Sequence, residues 1–199
     1  KITDRYGEFN MKPERIEHTF GATVTGIKLA KLNGVNADDA VRALLLHDIG
    51  KYATDEMLSC YGIEVPEEVK ALPPSVQHAP IGALIAEKAF KIRKKSILDA
   101  ISYHTTGKPK MSKLARVVFM ADFIEPGRTF SHVDELRAVT FRKLDLGVEA
   151  GLKRAIAHVT DDGGVLCPLT VEAYEYYALR NNPALRKQRK QKAASAKEE

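Results

Sequence analysis

The stretch Ala43-Leu44-Leu45-Leu46-His47-Asp48-Ile49-Gly50-Lys51 decides how this sequence is interpreted, because an apolar run leads directly into a histidine and an aspartate. Asn36 is a suitable N-cap for a helix over residues 37–49. Adjacent residues on a helix point about 100° apart, so His47 and Asp48 could reach one ion only near a helix end. The stretch therefore predicts an apolar helix whose end presents an imidazole and a carboxylate.

Helical patterns continue on both sides of this stretch, without a convincing strand or an internal repeat. Pro13 begins a long predicted helix that extends to about Lys31, with Phe20, Val24 and Ile27 on one face. Proline and glycine residues divide the remainder into shorter helices. These are predicted at residues 80–90, 95–104, 112–124, 131–142, 144–159 and 169–180. The pattern predicts an all-α fold.

The charge distribution indicates one nearly neutral domain followed by a short basic segment. The chain has 199 residues, of which 44% are hydrophobic, and a formal net charge of +5. Six basic and two acidic side chains fall in residues 185–199, which account for most of that charge. We therefore predict a single domain over residues 1–184 and a basic, disordered C-terminal tail over residues 185–199. A nucleic-acid partner is not expected for the domain and would be confined to the tail.

The sequence carries no feature typical of a membrane or secreted protein. Its longest apolar runs are far shorter than a bilayer-spanning helix, and no secretory signal pattern is present near its start. Cys60 and Cys167 are isolated and do not form a disulfide framework. These observations predict a cytoplasmic protein. Lys1 is not a methionine, which leaves open a processed product or a fragment of a longer fusion.

Several histidines fall where a purely structural role explains them poorly. His18 and His104 share helical stripes with apolar residues, which points them toward the core. His78 directly precedes a predicted helix, in a loop that can aim its imidazole inward. His132 and His158 instead fall on polar positions and are predicted to be surface residues.

Asp122 lies within a predicted helix that is apolar nearly all round. A carboxylate buried there is strongly unfavourable unless a cation compensates its charge. A salt bridge to an arginine or lysine is one solution, and a metal ion is the other.

Four imidazoles and two carboxylates together form a candidate metal-binding set. Its members are His18, His47, Asp48, His78, His104 and Asp122. Nitrogen and oxygen donors without thiolate suit Fe, Mn, Co, Ni or Zn better than Ca or Mg alone. Six ligands are too many for one ion that keeps an open position, so two divalent ions sharing a bridging carboxylate fit better.

Four further strings accompany the His47–Lys51 string, in order along the chain. They are Arg15-Ile16-Glu17-His18-Thr19, His78-Ala79-Pro80-Ile81-Gly82-Ala83, Tyr103-His104-Thr105-Thr106-Gly107-Lys108-Pro109 and Ala121-Asp122-Phe123-Ile124-Glu125-Pro126-Gly127-Arg128. Together they resemble the HD superfamily of metal-dependent phosphohydrolases, and within it the YqeK-like symmetrical bis(5′-nucleosyl)-tetraphosphatases, over about residues 15–179. The resemblance implies an HD-domain-like helical bundle around a dinuclear metal site. It also implies a bacterial hydrolase that splits diadenosine tetraphosphate into two ADP.

The same resemblance implies which residues hold the metals. It gives His18, His47, Asp48 and Asp122 to a first ion, and His78 and His104 to a second. Asp48 bridges the two ions, and iron is the expected metal. A hydroxide between the ions is expected to attack an inner phosphate.

Roles toward the substrate are implied in the same way. The catalytic residues are Asp48, Lys51 and Arg128. The substrate-binding residues are Arg15, Lys51, Thr105, Thr106, Gly107 and Arg128. Gln77 departs from the aromatic residue of many relatives, which puts nucleobase stacking at that position in doubt.

Two alternatives stay open. One is another HD-superfamily nucleotide phosphohydrolase, either a nucleotidase or a deoxynucleoside triphosphate triphosphohydrolase, which shares the metal ligands and differs in its products. The other is a non-catalytic nucleotide- or RNA-binding module that uses the metal structurally. Structural metal sites are usually closed and have four ligands, so six candidate ligands favour an enzyme. A homodimer is also left open.

Overall fold

A computed structural model describes residues 1–188 and agrees with the predicted all-α class. After a short 3-10 helix, Thr3–Phe9, the α-helices are α1 (Pro13–Asn33), α2 (Ala37–Leu46), α3 (Asp55–Cys60), α4 (Glu67–Lys70), α5 (Pro74–Lys88), α6 (Lys95–Ser102), α7 (Lys113–Ile124), α8 (Val133–Arg142), α9 (Leu144–Asp161) and α10 (Pro168–Asn181). Within residues 1–188 there is no strand. Residues 183–188 are helical again, so the predicted tail begins with helix, and its residues 189–199 lie outside the described residues.

Helix α7 forms the centre of the bundle. It packs against α1, α2, α6 and α9. Its buried side chains include Leu114, Val118, Phe119 and Ile124, as its apolar sequence predicts. Because neighbouring helices surround it, α7 has little room for polar residues. Asp122, near its C-terminal end, is the exception that reaches the centre described below.

Helix α1 packs through small residues, which corrects the apolar face predicted for it. Phe20 and Val24 are 46% and 51% exposed. The buried side instead includes Ala22 and Gly26. A Cβ on Gly26 would lie 2.0 Å from Cδ1 of Leu44 in α2. Helix α1 therefore approaches its neighbours closely through small residues, which a search for large apolar side chains does not detect.

Helix α2 ends earlier than predicted, and a tight turn follows it. Asn36 caps its start as expected, since its side chain accepts a hydrogen bond from the backbone N of Asp39 at 2.9 Å. The last helical residue is Leu46. His47 and Asp48 lie in successive turns, each closed by a hydrogen bond from a backbone N–H to the carbonyl three residues earlier. Both side chains therefore lie directly after the end of α2, which is where two adjacent residues can reach one ion.

Gly50 allows this turn to pack directly on the backbone of α5. A Cβ at Gly50 would lie 2.4 Å from the carbonyl oxygen of His78 and 2.7 Å from the backbone N of Gly82. Backbone atoms cannot move aside as a flexible side chain can. The glycine therefore sets the distance between the His47–Asp48 turn and the helix that carries His78.

Helix α5 begins at Pro74 and not at Pro80 as predicted. Pro74 occupies the first turn, where a missing N–H leaves no hydrogen bond unmade. Pro80 lies inside the helix and has no N–H to donate to the carbonyl of Val76. His78, predicted in a loop, is therefore a buried residue of the helix itself.

The structure also tests the predictions for the two cysteines, for the two histidines expected at the surface and for membrane-spanning helices. Cys60 and Cys167 are free thiols, the first exposed and the second buried. The side chains of His132 and His158 are 69% and 71% exposed, which confirms the prediction for both. Over residues 1–188, no helix has the length and apolar character needed to cross a membrane.

Candidate metal centre

Five parts of the bundle bring the six predicted ligands together. Helix α1 supplies His18, the turn after α2 supplies His47 and Asp48, α5 supplies His78, the turn after α6 supplies His104, and α7 supplies Asp122. Three overlapping groups of these residues each have ligand atoms within 4.8 Å of one another. The least buried of the six, Asp122, has a side chain that is only 16% exposed.

The carboxylate of Asp48 divides the imidazoles into two pairs. Its Oδ1 lies 3.2 Å from Nε2 of His78 and 3.5 Å from Nε2 of His104. Its Oδ2 lies 3.5 Å from Nε2 of His47 and 3.8 Å from Nε2 of His18. A carboxylate that turns one oxygen to each pair can bridge two ions.

Asp122 belongs to the pair formed by His18 and His47. Its Oδ1 is 3.0 Å from Nε2 of His18 and 3.9 Å from Nε2 of His47. The Nε2 atoms are 3.3 Å apart within this pair, and also 3.3 Å apart between His78 and His104. Two nitrogens bound to one ion at about 2.1 Å in adjacent positions would be separated by about 3 Å. The spacing within both pairs therefore fits a shared metal ion.

Backbone carbonyls determine the tautomers of two of these histidines. Nδ1 of His47 donates to the carbonyl of Leu44 at 2.6 Å, and Nδ1 of His104 donates to the carbonyl of Ile101 at 2.8 Å. A carbonyl only accepts, so each neutral ring carries its proton on Nδ1 and turns the lone pair of Nε2 toward the centre. Lone pairs and carboxylate oxygens converge there, and a divalent metal ion is the partner that fits them.

Burial and charge favour the protonation states that metal binding requires. Burial lowers the pKa of His47 to about 4, so this ring is neutral at neutral pH. Burial acts to raise the pKa of Asp48, but attraction to His47, and hydrogen bonds from His104 and His78 when these rings are protonated on Nε2, hold it well below its usual range. Burial acts to lower the pKa of His104, but Asp48 outweighs it and the pKa is raised. The negative electrostatic potential that favours a proton on His104 also favours a metal cation at the same place.

Glu125 supports the centre, and the sequence patterns gave it no role. It is 5% exposed, and its Oε1 accepts from Nδ1 of His18 at 3.2 Å. Its Oε2 accepts from the backbone N of Gly127 at 2.6 Å. A Cβ at Gly21 would lie 2.6 Å from Oε2, so α1 leaves room for this carboxylate. No periodic signal marks Glu125, because it follows the end of α7 directly before Pro126.

Arg137 of α8 holds the segment that carries Glu125 and Arg128. Its guanidinium donates to the carbonyls of Ile124 at 3.0 Å, of Glu125 at 2.8 Å and of Arg128 at 2.8 Å. The end of a helix leaves such carbonyls without partners of its own, and Arg137 satisfies them. The sequence gave no sign of this contact, because no local pattern places α8 against the segment.

The predicted arginines each contact one carboxylate of the centre. Nη2 of Arg128 donates to Oδ1 of Asp122 at 2.7 Å, and its Nε donates to the Asp122 carbonyl at 3.1 Å. Nη1 of Arg15 donates to Oδ2 of Asp48 at 2.8 Å. The buried Nε of Arg15 has no hydrogen-bond partner among the described residues. Lys51 is exposed in the turn that follows Asp48.

The turn after α6 separates the three residues predicted to bind substrate there. Thr105 lines a cavity beside the centre, and its hydroxyl is 3.4 Å from Nε2 of His104. Thr106 is 5% exposed and donates to the carbonyl of Gly107 at 2.9 Å. Gly107 is buried with a φ of +61°, which favours glycine. Thr106 and Gly107 are thus buried within the turn, whereas Thr105 is the one of the three that lines the cavity.

The cavity beside the centre has a volume of about 410 Å³ and two unlike ends. Its charged end contains His104, Asp122 and Arg128. The other end is largely apolar, and its lining includes Val76, Phe123, Phe130, Arg154, Val165 and Leu166. A ligand that combines phosphates with an apolar group would match both ends.

Comparisons with known proteins agree with this geometry. A family model described as the HD domain matches residues 15–127, which include all six candidate ligands. The symmetrical bis(5′-nucleosyl)-tetraphosphatase of Bacillus subtilis (strain 168) is 32% identical over 164 residues, covering 81% of this chain and 88% of the relative. The protein of the same name from Staphylococcus aureus (strain NCTC 8325 / PS 47) is 30% identical over 179 residues, covering 87% and 91%.

A solved structure shares the arrangement of the helices. It is a crystal structure from Clostridium acetobutylicum, described as a predicted HD superfamily hydrolase involved in NAD metabolism. The two chains superpose with a TM-score of 0.77 at 33% sequence identity, covering 90% of this chain and 96% of that one. The likeness extends over nearly the whole bundle.

Proposed function

The chain belongs to the HD-domain family and, within it, to the symmetrical bis(5′-nucleosyl)-tetraphosphatases, and from this membership we propose that it hydrolyses diadenosine tetraphosphate to two molecules of ADP. The observation that carries the proposal is the position of Asp48, whose two carboxylate oxygens face different pairs of imidazoles. Two divalent ions placed side by side suit a substrate with a polyphosphate bridge, because they compensate its charge.

The proposed metal ligands follow the two imidazole pairs that the Asp48 carboxylate separates. One ion is assigned to His18, His47, Asp122 and Asp48, and the other to His78, His104 and Asp48. Iron is the proposed metal because the resemblance to the family implies it, and imidazole and carboxylate donors without thiolate are compatible with it. Mn, Co, Ni and Zn share that preference, so metal analysis of the isolated protein decides among them.

The residues around the centre are suited to an in-line hydrolysis. Two bound divalent ions supply Lewis-acid activation and charge compensation at the attacked phosphoryl group. Water oxygen bonds to an inner phosphorus and gives up a proton to solvent, the central phosphoanhydride P–O bond breaks, and the two halves of the substrate leave as two ADP. Arg128 uses Nε and Nη2 to hold Asp122, which leaves Nη1 for an oxygen of the leaving phosphate. The Thr105 hydroxyl can donate to the same group.

Arg15 and Lys51 act from the other side of the centre in this proposal. Arg15 neutralises part of the charge of Asp48, with which it pairs at 2.8 Å. Lys51 adds a positive charge at the exposed edge, where it would meet the polyphosphate bridge.

The test is product analysis with metal-quantified protein, prepared without oxygen and incubated with diadenosine tetraphosphate. We expect ADP as the sole product and about two metal ions per chain. His78→Ala is expected to lose turnover and one ion, while His132→Ala, at an exposed histidine, keeps both. AMP with ATP as products would refute symmetrical cleavage.

The same assay separates the alternatives. Free phosphate or tripolyphosphate from mononucleotides, without ADP from the dinucleotide, would assign the chain to another HD-type phosphohydrolase reaction. A fully metal-loaded protein that binds nucleotide and turns none over would be a binding module. A cytoplasmic location also belongs to the proposal, since it places the enzyme with its nucleotide substrate, and cell fractionation tests it.

A further inference from the structure

The cavity beside the metal centre carries an inference that rests on the proposed function and deepens it. Its charged end is formed by His104, Asp122 and Arg128, where the phosphates of a nucleotide would lie. The nucleoside of the same nucleotide must then extend away from the metals. The remaining lining of the same cavity is largely apolar and would receive that nucleoside.

The apolar end offers flat surfaces for a nucleobase. The rings of Phe123 and Phe130 meet edge to face, with centroids 5.7 Å apart and planes at 79°. Cζ of Arg154 lies 5.1 Å from the centroid of the Phe130 ring. Aromatic rings and guanidinium planes are the groups on which nucleobases stack. The volume of about 410 Å³ is within the range of small-molecule sites.

Gln77 takes no part in the cavity. Nε2 of Gln77 donates to the carbonyls of Lys70 at 3.0 Å and of Leu72 at 2.8 Å, so its side chain is turned back onto the chain before α5. Gln77 is not among the cavity residues, whereas its neighbours Ser75 and Val76 are. Helix α5 thus contributes no aromatic ring here, and the rings come from α7 and the segment after it.

We propose that this cavity binds one nucleoside of the substrate, with the base against Phe130 and Arg154. These two residues then determine affinity for the nucleoside part of the ligand and not for its phosphates. They are substrate-binding residues outside the metal centre, and neither was assigned a role from the sequence.

Equilibrium binding to the metal-loaded protein tests this, with ADP and inorganic tripolyphosphate as the two probes. Phe130→Leu is expected to weaken ADP binding about tenfold and to leave tripolyphosphate binding unchanged, because one stacking partner is lost. Arg154→Gln should act in the same direction. Phe130→Tyr keeps the ring and should keep the ADP affinity.

Two controls lie outside the cavity. Phe20→Leu removes an exposed ring from α1, and Arg142→Gln removes an exposed guanidinium from the end of α8. Both should bind ADP and tripolyphosphate as the unchanged protein does. Circular dichroism confirms folding of each variant, and Arg154→Gln carries the test if Phe130→Leu does not fold.

Kinetics with diadenosine tetraphosphate give a second measurement. Loss of a nucleoside contact should raise KM by about tenfold and change kcat little. Equal weakening of ADP and tripolyphosphate, or no weakening of either, would overturn the proposal. If the unchanged protein binds ADP more tightly than tripolyphosphate but does not cleave the dinucleotide, the proposed function fails while the nucleoside site stands.

Discussion

Glu125 shows how a single residue can prepare a metal ligand. Its carboxylate accepts from Nδ1 of His18, so the neutral ring turns the lone pair of Nε2 toward Asp122 and His47. Outer partners of this kind set the orientation and basicity of a ligating imidazole. Because Glu125 also accepts from the backbone N of Gly127, its own position is held.

Replacing Glu125 should weaken metal binding without removing a ligand. We expect Glu125→Gln to lower the affinity for Mn²⁺ or Co²⁺ at the His18 side by about 10- to 100-fold, because the amide retains only one of the two acceptor oxygens. Metal titration of the chelator-treated protein measures this. Glu135→Gln is the matched control, since Glu135 pairs with His132 at the surface. Unchanged affinity and stoichiometry in Glu125→Gln would show that His18 needs no such partner.

The six candidate ligands could be found from the sequence, because polar residues in apolar helical patterns are unusual and each demands a reason. The sequence predicts His78 in a loop and not in a helix, but it still identifies His78 as a candidate ligand. The prediction that its side chain points inward does not depend on where α5 begins. Glu125 and Arg137 could not be found in this way. Their contacts join segments that approach one another only in the folded chain, and no local pattern records them.

Helix α5 depends on the turn after α2 for its position. Gly50 brings that turn against the backbone of His78 and Gly82, closer than any side chain would allow. The spacing between Asp48 and His78, and with it the second imidazole pair, follows from this contact. A glycine in the His47–Lys51 string is therefore required by packing as well as by the local turn.

The substitution Gly50→Ala should move α5 away from the turn. We expect a loss of about 1–3 kcal/mol in the free energy of unfolding, because the added methyl group meets backbone atoms. Occupancy of the second metal position should fall with it. Urea denaturation and metal analysis measure the two effects. Gly7→Ala is the control, since nothing lies within 4 Å of a Cβ at Gly7. Two ions per chain and unchanged stability in Gly50→Ala would contradict the packing argument.

At the scale of elements, the sequence predicted helices better than it predicted their faces and starts. The sequence predicts helix α7 correctly because its own large apolar residues lie on nearly all of its faces. The buried face of α1 was missed because Ala22 and Gly26 pack closely and carry little hydrophobic signal, while Phe20 and Val24 remain exposed. The start of α5 was missed because two prolines compete for the first turn, and only tertiary packing decides between them.

In the whole molecule, the centre lies within residues 15–127, which the HD-domain model matches, and the described residues 185–188 are exposed. The side chain of Arg186 donates to the carbonyl of Arg180 at 3.1 Å, in an exposed contact. We therefore expect a chain that ends at Ala184 to keep its turnover and to melt within about 2 °C of the full chain, since surface contacts contribute little. Thermal melts and the ADP assay check this. A large loss of either would place the domain boundary later than residue 184.

Asp145 connects the helices α7, α9 and α10. Its carboxylate pairs with Arg116 of α7 and with Arg180 of α10 at 2.8 Å, while Asp145 itself lies in the first turn of α9. Burial acts to raise the pKa of Asp145, but the two arginines outweigh it and the pKa is lowered. A carboxyl group with a lowered folded-state pKa stabilises the fold above its unfolded-state pKa, about 3.9, and loses that contribution as the pH falls through the folded-state value.

The stability of the fold should depend on pH through this group. We expect Asp145→Asn to lower the free energy of unfolding by about 1 kcal/mol at pH 7, because the side chain loses its charge opposite the largely buried Arg116 and the half-exposed Arg180. The difference from the unchanged protein should begin to shrink below about pH 4, where the carboxyl takes up a proton in the unfolded chain, and should keep shrinking as the pH falls toward the lower folded-state pKa. Urea unfolding at pH 7 and pH 3, with a chelator present throughout to keep metal release out of the measurement, checks both values. Glu67→Gln, at an exposed pair with Lys70, should change stability at neither pH. A difference for Asp145→Asn that is the same at both pH values would mean that the contribution of Asp145 is packing and not charge.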